Sequence, residues 1–226
     1  MIKTIAVISA LDIEHEYLKE AFDFERTERL GPYELNILSY EGKKIISCIC
    51  GIGKVNSAIM TQRIIDKYAP DLVINTGVCG GLDKSLSYKD VIIADKLVYH
   101  DFESEWLEKY FPNTDAFYTD KDLIDNLVNI MKDDKISVRV GTIVTGDQFI
   151  ESSQKQEELN KTYGALGVEM EGASIAHACF ANDTKFLIIR SLSDFAGDDA
   201  GEDFDNNAQD QAHLSGRVVE ELIKKL

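Results

Sequence analysis

The feature that most constrains this chain is an alternation of apolar runs of strand length with longer segments of helical spacing. The apolar runs are mostly continuous, which is typical of strands buried on both faces of a sheet. They occupy residues 4–9, 35–40, 44–50, 72–76, 91–94, 138–145 and 186–191. Segments of helical spacing with polar faces lie at residues 14–21, 55–68, 121–131, 154–161, 172–180 and 208–226. The alternation predicts an α/β fold with a central mixed, mostly parallel twisted sheet and helices on both faces.

Two segments depart from the alternation. Residues 28–50 hold two or three strands joined through Gly31-Pro32 and Glu41-Gly42 without a helix, which predicts an antiparallel meander. Residues 196–207 are rich in acids and glycines, so they are interpreted as either a mobile loop over a pocket or a solvated surface turn. With no linker-like tract in 226 residues, we expect one domain spanning 1–226.

The charge of the chain excludes several classes of partner. There are 24 Lys and Arg against 40 Asp and Glu, a formal net charge of -16. Nucleic-acid affinity depends on basic side chains that neutralise phosphates, so nucleic acids and anionic membranes are poor partners. A small neutral or zwitterionic ligand remains possible, because a few groups inside a pocket decide its binding.

Neither a membrane span nor a metal site is expected. No run reaches the ~18 apolar residues of a membrane helix, and the N-terminal segment leads into acids instead of a cleavage site, which predicts a cytoplasmic protein. The cysteines 48, 50, 79 and 179 form no CxxC pair. His100, Asp101 and Glu103 match no usual ligand spacing either. We therefore expect no metal.

Carboxylates follow three of the apolar runs. Glu14 comes after the first run, Glu169 and Glu171 after the strand-like residues 166–168, and Asp194 after the last. Ligands of parallel α/β sheets bind beyond the carboxyl ends of strands, so these acids are candidate site residues. Acids at a helix start also serve as caps, which leaves a structural role open for each one.

Two glycine-rich turns also follow strands, at residues 50–54 and 75–81. Glycine lets a ligand approach the main chain closely, although a tight structural turn explains either cluster as well. Neither turn has the spacing of GxGxxG or GxxxxGK[ST], which argues against dinucleotide and P-loop sites.

Seven short motifs together resemble one enzyme family. ALDIEHE, GIGKVNSA, VINTGVCGGL, YHD, TGDQFI, VEMEGASIA and RSLSD occur in the order and approximate spacing of the 5'-methylthioadenosine/S-adenosylhomocysteine nucleosidases, nearly end to end. The resemblance implies a nucleoside phosphorylase-like fold and a cofactor-free homodimer acting in methionine salvage and nucleoside catabolism. The implied reaction is hydrolysis of the N-glycosidic bond, which releases adenine from methylthioadenosine, S-adenosylhomocysteine and perhaps 5'-deoxyadenosine.

The resemblance also implies catalytic roles. Asp194 matches the general acid that protonates the purine N7, and Ser193 would help to hold the base. Glu14 matches the base that activates water on the opposite face of the sugar, and Glu171 matches the carboxylate that binds ribose hydroxyls. Arg190 would orient the water and Glu171. A positioned acid and a positioned base are what glycoside hydrolysis through an oxocarbenium-like state requires.

Further positions match substrate-binding residues of the family. Phe149 and Ile150 would enclose the purine, with the main chain of Ile150 reading its edge, and Met170 would pack on the ribose. Without the resemblance, the apolar members of this set would be assigned to the core. The other expected substrate contacts are Leu11, Ile52, Val78, Glu169 and Phe204.

The chain departs from the family pattern at several positions, which leaves alternative activities open. Val78 stands where many members carry a hydroxyl near the water site, and residues 102–107, in the region that lines the 5'-substituent pocket, differ from the usual stretch. The loop at residues 11–16 offers acids and no Arg, which favours water over phosphate as nucleophile. The alternatives are a futalosine- or adenosine-type hydrolase, a non-catalytic nucleoside-binding protein, and a phosphorylase.

Overall fold

The computed structural model describes residues 2–88 and 90–226. The strands are β1 Thr4–Ser9, β2 Arg26–Leu30, β3 Tyr33–Tyr40, β4 Lys43–Ile49, β5 Leu72–Gly81, β6 Asp90–Tyr99, β7 Ala116–Tyr118, β8 Ser137–Thr145, β9 Gly167–Glu169 and β10 Lys185–Asp194. The helices are α1 Asp12–Ala21, α2 Lys54–Tyr68, α3 Ser104–Lys109, α4 Lys121–Asp134, α5 Ser153–Tyr163, α6 Gly172–Ala181 and α7 Ala200–Lys225.

All of these strands belong to one sheet that closes on itself. Its order is β10-β6-β8-β9-β5-β1-β4-β3-β2, and β10 also pairs with β5. Five strands therefore form a barrel-like ring, β5-β10-β6-β8-β9, while β1, β4, β3 and β2 extend from it as an open arm. The mixed sheet predicted from the sequence is confirmed, but the sequence predicted a mostly parallel twisted sheet and not its closure into a ring.

Parallel and antiparallel strand pairs are equally frequent in the described part of the sheet. Among the described pairings, five are parallel, in β1–β4, β1–β5, β10–β5, β6–β8 and β8–β9. Five are antiparallel, in β10–β6, β2–β3, β3–β4, β5–β9 and β6–β7. The meander predicted for residues 28–50 is confirmed as β2-β3-β4. The antiparallel pairs that close the ring involve β9 and β10, which join strands far apart in the sequence.

Helices cover both faces of the sheet, as predicted. One apolar cluster joins α2 and α6 to the sheet through residues such as Met60 and Ile175. A second joins α1, α4 and α7 to the other face through residues such as Leu18, Leu127 and Val219. Both clusters consist of fully or nearly fully buried side chains, so the sheet is the centre of the hydrophobic core.

The helix α7 corrects the interpretation of residues 196–207. It begins at Ala200, so residues 200–207 are helical and are neither a mobile loop nor a surface turn. Glu202 and Asp203 lie in its first turn, where negative charge interacts favourably with the helix dipole. The acids that suggested a solvated loop are therefore consistent with a helix N-terminus. No helix in the described part of the chain is long and apolar enough to cross a membrane.

Candidate active site

A cavity of about 590 Å³ opens beyond the ends of β5, β9 and β10. This is the edge at which ligands of α/β proteins bind. Its walls bring together residues that are far apart in the sequence. The lining residues are Ala10, Leu11, Glu14, Ile52, Val78, Cys79, Gly80, Phe149, Val168, Glu169, Met170, Glu171, Arg190, Ser193, Asp194, Gly201, Phe204 and Asp205.

Glu14 is held rigidly at the start of α1. Its Oε2 accepts the N–H groups of Ala10 (2.8 Å) and Leu11 (3.0 Å), and its Oε1 accepts the N–H of Val78 (2.9 Å). The carboxylate is buried, with 2 % of the residue exposed. The same carboxylate therefore caps α1 and lines the cavity, so the capping contact does not exclude a site role for Glu14, which stays a prediction.

Arg190 is the charged centre of the site. It is 1 % exposed, and its guanidinium donates to Glu169 Oε2 (2.5 Å), Glu171 Oε2 (3.3 Å) and Glu14 Oε1 (3.5 Å). Burial opposes its charge, but the three carboxylates more than offset this and raise the pKa of Arg190. It also donates to Asn75 Oδ1 at 2.6 Å. Arg190 therefore fixes three carboxylates relative to one another.

Glu171 begins the turn into α6 and points into the cavity. Its Oε1 accepts the N–H of Gly53 at 2.8 Å, which connects it to the loop before α2. Burial raises the pKa of Glu171 and Arg190 opposes the rise, whereas the nearby carboxylate of Glu169 adds to it. The balance of these effects raises the pKa of Glu171 to about 7.

The carboxylate of Glu169 is already occupied by protein groups. Its Oε2 accepts the N–H groups of Glu171 (2.9 Å) and Gly172 (2.7 Å) as well as Arg190, and its Oε1 accepts the hydroxyl of Thr145. Thr145 in turn accepts the N–H of Ala173 at 2.8 Å. Although Glu169 lines the cavity, these contacts indicate that it anchors Arg190 and the start of α6.

Asp194 lies at the end of β10 on another wall. Its Oδ2 accepts the hydroxyl of Ser193 (2.8 Å), and its Oδ1 accepts the N–H of Ala196 (2.7 Å). Burial raises the pKa of Asp194, and the negative charges of Asp203 and Glu151 add to the rise, while its two hydrogen bonds oppose it. A carboxyl with these surroundings is suited to hold and donate a proton.

The apolar wall is formed by two aromatic rings from different elements. Phe149, in the loop after β8, and Phe204, in the first part of α7, meet edge to face at a centroid distance of 5.7 Å. Ile150 does not line the main cavity, but an adjoining one of about 30 Å³ that it shares with Met170 and Asp194. The purine-binding residues expected from the sequence therefore lie beside the carboxyl group of Asp194.

Comparison with known proteins decides the family of this chain. The model of the phosphorylase superfamily matches residues 4–224. The chain is 36% identical to the 5'-methylthioadenosine/S-adenosylhomocysteine nucleosidase of Bacillus subtilis, over 98% of this chain and 99% of the relative. The chain belongs to this nucleosidase family. The resemblance inferred from the seven motifs is thereby confirmed.

Two solved structures resemble the fold over the whole chain. The Neisseria meningitidis nucleosidase, in complex with methylthio-immucillin-A, has a TM-score of 0.92 at 35% identity, covering 100% of both chains. The futalosine hydrolase of Helicobacter pylori has a TM-score of 0.93 at 29% identity, covering 100% of this chain and 99% of that one. This fold is therefore shared by two enzymes that are named for different nucleosides.

Sequence reasoning missed two residues that support the nucleosidase cavity. Asn75 and Thr145 are buried polar side chains inside apolar strands, and they hold Arg190 and Glu169. Both lie inside quoted motifs, Asn75 in VINTGVCGGL and Thr145 in TGDQFI, but neither was assigned a role. Residues 102–107 do not line the cavity. Instead, Phe102 and Leu107 line an outer groove of about 430 Å³ with Val55 and Ile59.

Proposed function

We propose that this chain hydrolyses the N-glycosidic bond of 5'-methylthioadenosine and S-adenosylhomocysteine and releases adenine. The observation that carries the proposal is the division of the cavity between two kinds of carboxyl group. Asp194 is buried with a raised pKa on the wall next to Ile150 and Met170, while Glu14 is fixed by main-chain N–H groups and Arg190. Acid and base catalysts in different environments are what this reaction needs.

Asp194 is the proposed general acid. Adenine is a poor leaving group as an anion, so protonation at N7 lowers the barrier to cleavage. Asp194 can carry the required proton because burial and neighbouring acids disfavour its charged form. Ser193 donates to the carboxylate that remains after proton transfer, and this bond stabilises the product state.

Glu14 is the proposed base for the attacking water. Its two oxygens accept hydrogen bonds from three main-chain N–H groups. The carboxylate therefore needs little reorganisation when water binds. The hydroxyl missing at Val78 is not needed to hold Glu14, since the main chain of Val78 performs that role. Glu171 is the proposed ligand of the ribose hydroxyls, with Met170 packing on the sugar.

Water is favoured over phosphate as the nucleophile. Among the described residues that line the cavity, Arg190 is the one cationic side chain, and it already contacts Glu14, Glu169 and Glu171. A phosphate beside these carboxylates would lack a cationic partner of its own, which is costly in a buried site. We therefore propose a hydrolase that needs no phosphate and no cofactor.

The substrate assay compares several nucleosides. Adenine release is measured from methylthioadenosine, S-adenosylhomocysteine, 5'-deoxyadenosine and adenosine, and base release is measured from futalosine. We expect methylthioadenosine and S-adenosylhomocysteine to react fastest. Tight nucleoside binding by calorimetry without any base release would instead establish a non-catalytic binding protein.

Futalosine hydrolysis is the second candidate activity. It is favoured by the fold shared with the Helicobacter pylori futalosine hydrolase. Fast release of hypoxanthine from futalosine, with no cleavage of methylthioadenosine, would replace the first proposal by the second.

We also propose that the enzyme is a homodimer formed through the outer groove between α2 and α6. Val55, Ile59 and Phe102 line this groove and are 67%, 45% and 51% exposed, and Ile52 at the cavity mouth is 50% exposed. An apolar patch of this kind usually marks an interface, and the partner would border the cavity. Sedimentation should show a dimer for the native chain and a monomer for Ile59→Asp; a monomeric native chain contradicts the proposal.

We further propose a single domain and a cytoplasmic location. The range 1–226 forms one catalytic domain, which the family match over residues 4–224 supports. A cytoplasmic location is supported by four cysteines that are all free and buried, as suits a reducing compartment.

A further inference from the structure

Three charged residues, Lys54, Asp101 and Asp147, form a cluster of ion pairs. Lys54 Nζ is 2.6 Å from both carboxylate oxygens of Asp101 and 3.7 Å from Oδ2 of Asp147. None of the three lines the cavity described above. They come from three different connections, at the start of α2, after β6 and after β8. The cluster is therefore a junction between loops.

Main-chain hydrogen bonds tighten the same junction. Asp147 Oδ1 accepts the N–H of Lys54 at 2.8 Å, and Asp101 Oδ2 accepts the N–H of Asp147 at 2.8 Å. Gly53 has no side chain to cap α2, so Asp147 caps the helix from another part of the chain. A Cβ at Gly53 would lie 3.0 Å from Asp147 Oδ1, which leaves little room for a larger residue.

Two of the joined loops carry the opposite halves of the proposed substrate site. Residues 50–53, here called the ribose loop, supply the Gly53 N–H that holds Glu171. Residues 146–152, here called the purine loop, carry Phe149 and Ile150. A shift of one loop against the other would move Glu171, which we propose binds the ribose, relative to Phe149 and Ile150, which we propose enclose the purine.

We propose that Lys54, Asp101 and Asp147 are positioning residues that fix the ribose loop and the purine loop at the spacing that catalysis requires. This proposal rests on the proposed nucleosidase activity. Small displacements of groups that orient a substrate are costly, and a shift of about 1 Å can reduce the rate about 100-fold.

The surroundings of the cluster distinguish it from ordinary surface ion pairs. The side chains of Lys54 and Asp101 are 21% and 16% exposed, whereas those of the Lys84–Glu157 pair are 83% and 69% exposed. Burial alone would raise the pKa of Asp101, but Lys54 and the Asp147 N–H outweigh it and lower that pKa. Exposed pairs contribute little, so Lys84 provides a matched control.

The test compares Lys54→Met, Lys54→Arg and Lys84→Met. Lys54→Met keeps an unbranched apolar chain and removes the charge. We expect it to lower kcat/KM for methylthioadenosine by about 10–100-fold and to weaken the binding of adenine, measured by calorimetry. Lys54→Arg should recover most of the loss, because its guanidinium can still contact Asp101. Lys84→Met should match the native enzyme in both measurements.

A double-mutant cycle separates the cluster from a general loss of stability. Lys54→Met combined with Asp101→Asn should be no worse than the more damaging single variant, since both remove the same junction. Losses in kcat/KM that multiply would overturn the proposal. So would native kcat/KM and adenine affinity in Lys54→Met.

If Lys54→Met does not fold, Asp147→Ala at a half-exposed position removes the other side of the junction, and native kcat/KM in that variant overturns the proposal. If the native chain releases no adenine, the proposed function fails. The effect of Lys54→Met on adenine affinity then still decides whether the junction organises the purine loop.

Discussion

The main-chain N–H of Val78, near the end of β5, lies 2.9 Å from Oε1 of Glu14, so β5 holds the carboxylate that we propose as the base. This approach requires a glycine just before Val78. A Cβ at Gly77 would overlap the carboxylate of Glu14 and lie 2.5 Å from Nη1 of Arg190. Both side chains are buried and held by several hydrogen bonds, so they cannot move away freely.

Gly77→Ala should therefore displace Glu14 and Arg190 together. We expect kcat to fall by about 100-fold or more, because the proposed base and the cation that contacts it are both moved. Steady-state adenine release measures the loss. Gly197→Ala is the control, since its nearest neighbouring atom would be 3.4 Å away. Native activity in Gly77→Ala would contradict the close approach seen here.

Removal of Arg190 should destabilise the fold as well as the reaction. Arg190→Met leaves Glu14, Glu169 and Glu171 buried without their shared cation, and breaking a buried ion pair costs about 3–5 kcal/mol. Denaturant unfolding measures the change in the free energy of unfolding. Arg26→Met, which removes an exposed pair with Glu28, should cost about 1 kcal/mol or less. Equal losses in the two variants would refute the central role of Arg190.

The pH profile should report the protonation of Asp194. The acid must be protonated to act, and its pKa is raised, so kcat should fall as the pH rises through that pKa. The Ser193 hydroxyl donates to the charged form and lowers the pKa, so Ser193→Ala should move this alkaline limb to higher pH. An unmoved limb, or one moved to lower pH, would assign the titration to another group.

Acid stability should depend on His15, which is buried next to Ser47 and Asn36. Burial lowers the pKa of His15 from 6.5 to about 4. Its neutral form favours the fold, so this contribution is complete above pH 6.5 and is lost as the pH falls from 6.5 towards 4. The loss amounts to about 3 kcal/mol, at about 1.4 kcal/mol for each pKa unit. Unfolding free energies of the native chain and His15→Gln, measured across that window, should converge at low pH; parallel curves would contradict the assignment.

The sequence predicts the individual strands and helices of this fold better than the closure of the sheet into a ring. The run at residues 4–9 is the strand Thr4–Ser9, and the strand and helix alternation holds along the chain. The ring was not predicted, because its closure depends on β9, with three residues, pairing with the end of β5 at Gly80 and Gly81. Such long-range pairings leave no periodic signal in the chain.

In the candidate site, too, the positions of single residues were predictable from the sequence, whereas their long-range contacts were not. Acids after apolar strands marked Glu14, Glu171 and Asp194, because strand ends converge at one edge of a sheet. Their functional assignments came from the family resemblance and remain proposals. The anchoring contacts of Glu169 could not be predicted, since they depend on a hydroxyl from another strand, that of Thr145.

The most direct measurement is adenine release from methylthioadenosine by the native chain and Asp194→Asn, each with and without phosphate. The account predicts fast release that phosphate does not change, and a loss of about 10²–10⁴-fold in Asp194→Asn with the fold retained. Release that requires phosphate, or an Asp194→Asn variant as active as the native chain, would contradict it.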